Sequence, residues 1–259
     1  MVAPVHPLAS PLATDADPAA TGGTRVGVLV VHGFTGQPAS VKPWAEGLAE
    51  QGYAVEVPRL PGHGTSWQDL NEHRWADWYA EVSAAFDRLA ARVDRVVVAG
   101  LSMGGALVLR LAADRGDAVA GVVVVNPAVA TTRLDVKLLP VLKHLVPSFP
   151  GIANDIKKEG VSEHGYDKTP LKAAHSMMQA WPPLVAALPR ITAPLLYLRS
   201  AVDHVVDESS EPLITHRVGS PDVRVVRLPE SYHVATLDHD LPLIVTETAE
   251  FAARVVSTD

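Results

Sequence analysis

The sequence contains no cysteine among its 259 residues, which excludes disulfides, thiolate metal sites, iron–sulfur clusters and a cysteine nucleophile. It has no basic run, since 22 Lys and Arg oppose 29 Asp and Glu for a net charge of −7. We therefore expect no nucleic-acid partner, because such proteins neutralise several phosphates at once. The apolar runs are far shorter than the roughly 20 residues of a membrane-spanning helix. The first residues lack the early Lys or Arg and the continuous apolar segment of a secretory signal, so a cytoplasmic protein is expected.

Several cofactor motifs are also missing from the chain. It contains no G-x-G-x-x-G, no G-x-x-x-x-G-K and no H-E-x-x-H pattern, the patterns that bind dinucleotides, nucleotide phosphates and catalytic zinc. Nothing in the spacing of His63 and His73 requires a metal ion. We expect neither a cofactor nor a metal.

Short β-branched runs alternate along the chain with longer helical patterns. This alternation is typical of a mostly parallel sheet with helices on both faces, and so it predicts an α/β fold. The predicted strands cover residues 25–31, 53–58, 95–99, 118–125, 194–200 and 223–228. The predicted helices cover residues 40–51, 74–91, 102–115 and 241–256, where apolar residues recur at spacings of three and four.

The alternation breaks once, between residue 126 and about residue 188. Five prolines lie from Pro127 to Pro170, and the region shows no clear strand. We interpret it as a helical insertion over the carboxyl edge of the sheet, where open α/β sheets bind ligands. The predicted organisation is an N-terminal extension (1–24), an α/β core (25–126 and 189–259) and a cap or lid (127–188).

The segment Gly100-Leu101-Ser102-Met103-Gly104 lies between a predicted strand and a predicted helix. This G-x-S-x-G arrangement is a nucleophile elbow, in which a sharp strand-to-helix turn presents the serine hydroxyl above the sheet. The helix N-terminus also directs its free N–H groups and its positive dipole end at an oxyanion. Ser102 is therefore the predicted nucleophile.

A serine nucleophile needs a base and an orienting carboxylate, which in this arrangement follow it as Asp or Glu and then His. Of the 11 histidines, His233 and His239 follow the last predicted strand. We predict His233 as the base and interpret His239 as a surface or helix-start residue. Asp203 comes three residues after the strand 194–200, whereas its rival Asp207 fits the N-cap of a following helix. The predicted acid is Asp203.

The predicted oxyanion hole comes from two loops. His32-Gly33-Phe34-Thr35-Gly36 follows the strand 25–31, and the loop at that place supplies one backbone N–H. The residue after the nucleophile supplies the other. The predicted donors are therefore the backbone N–H groups of Phe34 and Met103.

These segments resemble the α/β-hydrolase superfamily, and within it the bacterial monoacylglycerol lipases and small carboxylesterases. The resemblance extends over almost the whole chain after the first twenty residues, and its most specific part is the sequence from Ser231 to Asp238. It implies the same three catalytic residues, the same oxyanion hole and a small cap over an apolar acyl tunnel. It further implies that Glu163 in the cap recognises glycerol hydroxyls and that Ile152 lies near the mouth of the tunnel. The matching segments are 32–36, 58–65, 100–105, 203–206 and 231–238.

The expected activity is hydrolysis of carboxylic esters, with monoacylglycerol cleaved to fatty acid and glycerol through an acyl-enzyme. One alternative keeps the catalytic residues but acts on other substrates, as a short- or medium-chain carboxylesterase, a thioesterase or a carbon–carbon bond hydrolase. Another is a non-catalytic binding protein on the same scaffold, because fold does not imply function. The expected partner is a small amphiphilic ester, with transient contact between the apolar cap and micelles or membranes. The sequence leaves the oligomeric state open.

Overall fold

The structure, a computed structural model, describes residues 4–133 and 135–257. Residues 1–3, 134, 258 and 259, which fall in the predicted extension, cap and core, lie outside the described residues. The strands are β1 (Leu12–Ala13), β2 (Val26–Val31), β3 (Ala54–Val57), β4 (Arg95–Leu101), β5 (Gly121–Val125), β6 (Ser148–Pro150), β7 (Lys168–Pro170), β8 (Leu195–Ser200) and β9 (Val223–Leu228). The α-helices are α1 (Lys42–Ala49), α2 (Trp67–Leu70), α3 (Trp75–Ala90), α4 (Met103–Arg115), α5 (Leu139–Leu145), α6 (Leu171–Ala187), α7 (Ser210–Thr215) and α8 (Leu241–Val256).

A seven-stranded sheet in the order β1-β3-β2-β4-β5-β8-β9 forms the centre of the molecule. β1 is antiparallel to β3, and the other neighbouring strands run parallel. Because the strands after β1 share one direction, their carboxyl ends meet at one edge. The loops that follow β2, β4, β8 and β9 therefore converge there.

Both faces of the sheet are covered by helices. Every residue of β2 is buried, and its side chains alternate between two apolar clusters. Val28 and Val30 pack with α1 and α8, and Leu29 and Val31 pack with α3, α4 and α6. Two-sided burial also explains why β2, β4 and β5 are nearly continuous apolar runs in the sequence.

The predicted mostly parallel sheet with helices on both faces is confirmed, and the six predicted strands match β2, β3, β4, β5, β8 and β9 within a few residues. The sequence did not predict β1. The expectation of no clear strand in the insertion is wrong, because β6 and β7 pair there as an antiparallel ribbon. β1 contains two residues and β6 and β7 contain three each, too few for an apolar alternation to be visible.

Residues 127–188, here named the cap segment, connect β5 to β8 and contain α5, β6, β7 and α6. α6 packs against α3 and α4, and its Leu171 and Ala174 form a small cluster with Leu139 of α5. The outer surface of this segment is apolar and exposed, at Leu138, Val141, Leu145, Phe149 and Ile152. Among the described residues, no helix has the length and apolar character needed to cross a membrane.

Candidate active site

Ser102 lies at the turn between β4 and α4 with φ 56° and ψ −118°. This left-handed backbone is costly for a residue with a side chain, and the surrounding packing enforces it. The Ser102 N–H donates to the Val125 carbonyl oxygen at 2.9 Å. A β-carbon on Gly104 would collide with the Val31 carbonyl oxygen, so α4 can begin this close to β2 only with glycine there. The predicted nucleophile therefore occupies a strained elbow at the carboxyl edge of the sheet.

The predicted acid and base are in direct contact. His233 Nδ1 lies 3.0 Å from Asp203 Oδ2, and Asp203 Oδ1 accepts the backbone N–H groups of Val205 at 2.9 Å and Val206 at 2.8 Å. Burial opposes ionisation of Asp203, but the nearby His233 and the two amides together hold the pKa of this carboxyl below its usual value. Asp203 is thus an ionised acceptor that fixes the orientation of the His233 ring.

Ser102 and His233 line the same cavity, which has a volume of about 200 Å³. Among the described side chains, no hydrogen bond joins Ser102 Oγ to His233 Nε2, while the bond between His233 and Asp203 is formed. Contacts of this kind are often long in unliganded enzymes and tighten when substrate binds. Ser102 retains 8% of its surface exposed, so the hydroxyl is accessible from the cavity.

The two predicted oxyanion donors belong to segments next to this serine. A β-carbon on Gly33 would lie 3.2 Å from Ser102 Cβ, which places the loop after β2 beside the nucleophile. Within the described part of the chain, neither the Phe34 N–H nor the Met103 N–H donates to a protein acceptor. Two backbone donors without protein partners are thus available near the Ser102 hydroxyl.

A buried histidine holds the loop after β2 in place. His32 Nδ1 contacts the Gly33 carbonyl oxygen at 3.0 Å, and His32 Nε2 accepts the Leu60 N–H at 3.3 Å. Burial lowers the pKa of His32 to about 4, so the ring is neutral and carries its proton on Nδ1. Burial also lowers the pKa of the neighbouring His63, whose ring lies 5.0 Å away. The loop that carries Phe34 therefore rests on an uncharged histidine pair.

The two predicted substrate-binding residues also line the cavity. Glu163 is buried, and its Oε1 accepts the Asn154 N–H at 3.3 Å. Burial raises the pKa of Glu163, although the Asn154 hydrogen bond and the nearby His233 act in the opposite direction. Ile152 is 52% exposed and lies at the rim. Among the cap-segment residues that line the cavity, Glu163 thus provides a buried polar group and Ile152 an apolar group at the rim.

Known proteins share this architecture over nearly the full chain. A model of the family described as serine aminopeptidase, S33, matches residues 22–240. The chain belongs to this family. A thermostable monoacylglycerol lipase of Bacillus sp. strain H-257 is 39% identical over 249 residues, which cover 94% of this chain and 97% of that relative. A carboxylesterase of Bacillus subtilis strain 168 is 26% identical over 237 residues, 90% of this chain and 94% of its own.

A solved structure from work on LipS and LipT, two metagenome-derived lipolytic enzymes, superimposes with a TM-score of 0.91 at 38% identity. It covers 97% of this chain and 100% of that one. The predicted α/β-hydrolase fold and the predicted membership of that superfamily are confirmed.

The sequence did not predict the roles of two charged residues of this α/β hydrolase, the buried Arg199 and the partly buried Asp155. The Arg199 guanidinium donates through NH1 to Asp203 Oδ2 at 2.7 Å and through NH2 to the Val206 carbonyl oxygen at 2.8 Å. Asp155 of the cap segment accepts the His233 N–H at 3.1 Å and contacts His204 Nδ1 at 2.7 Å. The one available signal was an arginine at the end of an apolar strand, four residues before Asp203.

Asp207, the alternative acid, has other partners. Its carboxylate accepts hydrogen bonds from Thr131, Thr132 and Ser209. It lies just before α7, whose N-cap is Ser209. The other histidine considered, His239, is exposed just before α8. Among the described residues, no group of three or more His, Asp or Glu could hold a metal ion.

Proposed function

We propose that this protein is a carboxylic ester hydrolase that cleaves monoacylglycerols, with Ser102 as nucleophile, His233 as general base and Asp203 as the orienting acid. The observation that supports this most strongly is the arrangement at one cavity. A strained serine at the start of α4 faces a histidine whose other ring nitrogen is held by a buried carboxylate.

His233 accepts the Ser102 proton on Nε2 as Ser102 Oγ attacks the acyl carbon. Asp203 holds the proton on Nδ1 and stabilises the imidazolium that forms. The Phe34 and Met103 N–H groups bind the oxyanion, and each such donor contributes about 3–4 kcal/mol where it has been tested. His233 then protonates the leaving alcohol. Water, activated by the same base, releases the fatty acid from the acyl-enzyme.

The acyl chain lies along the apolar floor of the cavity. A mostly apolar groove that is open to solvent adjoins this cavity along α5 and α6. Each methylene buried there contributes about 0.8 kcal/mol, so a long chain binds more tightly than a short one. The residues that line both the cavity and this groove are Ala130, Thr131, Val136, Met178 and Trp181.

Glu163 binds the alcohol end of the substrate. Its carboxylate is buried, accepts one backbone N–H and faces the cavity, so glycerol hydroxyls would complete its hydrogen bonding. Ile152 lies at the mouth and contacts the apolar part of the entering molecule.

Transient contact with micelles or membrane surfaces is part of this proposal. The cap segment exposes large apolar side chains, one of which, Ile152, lies at the rim of the cavity. An amphiphilic substrate resides in such aggregates. The cytoplasmic location expected from the sequence stays a prediction.

The test is turnover of purified protein on monoacylglycerols, diacylglycerols, triacylglycerols, acyl thioesters and short p-nitrophenyl esters. We expect the highest kcat/KM on monoacylglycerols. Equal or better activity on di- or triacylglycerols would contradict the substrate assignment. A preference for short esters or thioesters would favour the esterase or thioesterase alternative, and no turnover of any ester would favour a binding protein.

A further inference from the structure

Arg199 is a buried cation on the proposed catalytic carboxylate. It occupies the penultimate position of β8 and is 6% exposed. Its NH1 lies 2.7 Å from Asp203 Oδ2, the same oxygen that contacts His233 Nδ1 at 3.0 Å. One carboxylate oxygen therefore serves both the base and a permanent positive charge.

Arg199 is not needed to satisfy the other oxygen of the carboxylate. Asp203 Oδ1 already accepts the Val205 and Val206 N–H groups, and these two bonds alone orient the side chain. Arg199 adds a positive charge and a hydrogen bond, here named the Val206 brace, which its NH2 donates to the Val206 carbonyl oxygen at 2.8 Å. Since arginine stays protonated at every working pH, this charge is constant.

The charge matters when His233 takes up a proton. The imidazolium is then a second cation on the same carboxylate oxygen, and like charges at this separation disfavour the protonated form. Arg199 also withdraws part of the negative charge that would stabilise the imidazolium.

We propose that Arg199 is a positioning residue which, through the shared Asp203 oxygen, lowers the proton affinity of His233 and extends activity toward acidic pH. This inference rests on the proposed assignment of Ser102, Asp203 and His233.

Other ionisable groups around His233 do not duplicate this role. From the cap segment, Glu163, Asp155 and Arg133 line the cavity, and Asp207 lines it from the loop after β8. His204 contacts Asp155, and burial raises the pKa of Tyr197, which keeps that phenol neutral. The four cavity-lining groups are common to wild type and to every Arg199 variant. The difference between the pH profiles of wild type and an Arg199 variant therefore reports the effect of removing the guanidinium.

The test compares Arg199→Gln and Arg199→Lys, with Arg227→Gln as the control. Arg227 lies opposite Arg199 in the β8–β9 register but is exposed and pairs with Glu211. For each folded variant, kcat/KM on a soluble short ester is measured from pH 4.5 to 9. Thermal melting and titration with a fluorophosphonate give the folded, reactive fraction.

We expect the acid limb of the Arg199→Gln profile to move to higher pH by about one unit, so that the variant loses most activity below neutrality. Arg199→Lys keeps the charge and should keep the wild-type midpoint, while its plateau rate falls several-fold because the Val206 brace is lost. Arg227→Gln should match wild type throughout.

An unmoved midpoint in Arg199→Gln, with only a lower plateau or melting temperature, would overturn the proposal and leave Arg199 a structural residue. A Lys variant displaced by a full unit would also overturn it. If Arg199→Gln does not fold, Arg199→Met, whose side chain fills similar space, replaces it. The midpoint of the Arg199→Lys profile tests the proposal independently of both variants. Ser102→Ala is assayed in parallel: full activity there would refute the proposed function itself, whereas an inactive Ser102→Ala with unmoved Arg199 profiles refutes this inference alone.

Discussion

The sheet edge that carries Ser102, Asp203 and His233 and the cap segment that faces it are stabilised in different ways. At the sheet edge, Ser102 and Asp203 follow the buried strands β4 and β8, and buried hydrogen bonds hold the backbone of Ser102 and His233. Asn126 Nδ2, for example, donates to the His233 carbonyl oxygen at 2.8 Å. The cap segment has one long helix, α6, that packs on the core, but its other elements are short, and it has a three-residue apolar cluster and large apolar side chains open to solvent.

This difference suggests a division of roles. Bond-making groups need positions held to a fraction of an ångström, which buried strands provide. The selection of an amphiphilic substrate needs an apolar surface and one or two polar groups, which a loosely built segment can offer. Changes at the sheet edge should therefore affect the rate of the chemical step, and changes in the cap segment should affect substrate preference and surface binding.

The largest expected effect separates the two candidate acids at the sheet edge. Asp203→Asn should lower kcat about 10⁴-fold on every ester, because the amide favours the wrong tautomer of His233. Asp207→Asn is the matched control and should change kcat by less than about threefold, since its partners are Thr131, Thr132 and Ser209. Steady-state kinetics of both variants show which aspartate is the catalytic acid. A larger loss in Asp207→Asn would reverse the assignment.

A change in the cap segment should be selective for substrate. Glu163→Gln should raise KM for monoacylglycerol about tenfold and leave short p-nitrophenyl esters unaffected, because only the glycerol end contacts this carboxyl. The exposed Glu159→Gln serves as the control. Equal losses on both substrate types would show that Glu163 supports the site in general.

The same substitution should also stabilise the fold. Burial raises the pKa of Glu163, so the folded state holds this proton more tightly than the unfolded chain does. That advantage is present at low pH and is lost as pH rises through the folded-state pKa. At pH 8 the buried charge is a cost that glutamine removes, and urea unfolding at that pH should give a higher midpoint for Glu163→Gln. A lower midpoint would contradict this account.

A smaller effect concerns the histidine pair under the oxyanion loop. The pKa of His32 is about 4 in the folded state, whereas an unfolded histidine titrates near 6.5. The unfolded chain therefore binds more protons between these values, and the free energy of unfolding should fall as pH drops, by up to about 1.4 kcal/mol per unit per histidine. His63→Gln should reduce this slope in urea titrations and the exposed His216→Gln should not. A slope unchanged by His63→Gln would argue against the buried, neutral pair.

The smallest expected effect is at the outer surface of the cap segment. Leu145 is 73% exposed, and Leu145→Ser should weaken binding to lipid vesicles two- to threefold without changing turnover of a soluble ester. Leu8→Ser removes another exposed leucine outside the cap segment and should leave vesicle binding unchanged. Sedimentation with vesicles measures the binding of both variants. Equal effects of the two substitutions would show that the cap segment is not the surface that contacts the membrane.

The two regions also differ in how well the sequence predicted them. β2, β4 and β8 contain enough consecutive apolar residues to be recognised, and chain order then limits the choice of acid and base. In the cap segment, β6 and β7 are too short to leave a pattern. The sequence placed Glu163 and Ile152 only by resemblance to known lipases.

Long-range contacts of charged residues could not be predicted from spacing. Asp155 bonds to His204 and His233, which lie 49 and 78 residues later in the chain. Arg199 lies only four residues before Asp203, but their contact forms because the chain turns at the end of β8. The contacts of Asp155 depend on tertiary packing that no local periodicity records.

The assignment of Ser102 as nucleophile is tested by mass spectrometry after treatment with a serine-reactive fluorophosphonate. We expect one adduct on the peptide that contains Ser102, accompanied by complete loss of ester hydrolysis, and no adduct in Ser102→Ala. A labelled Ser102→Ala protein, or one that still cleaves esters at the wild-type rate, would contradict the account.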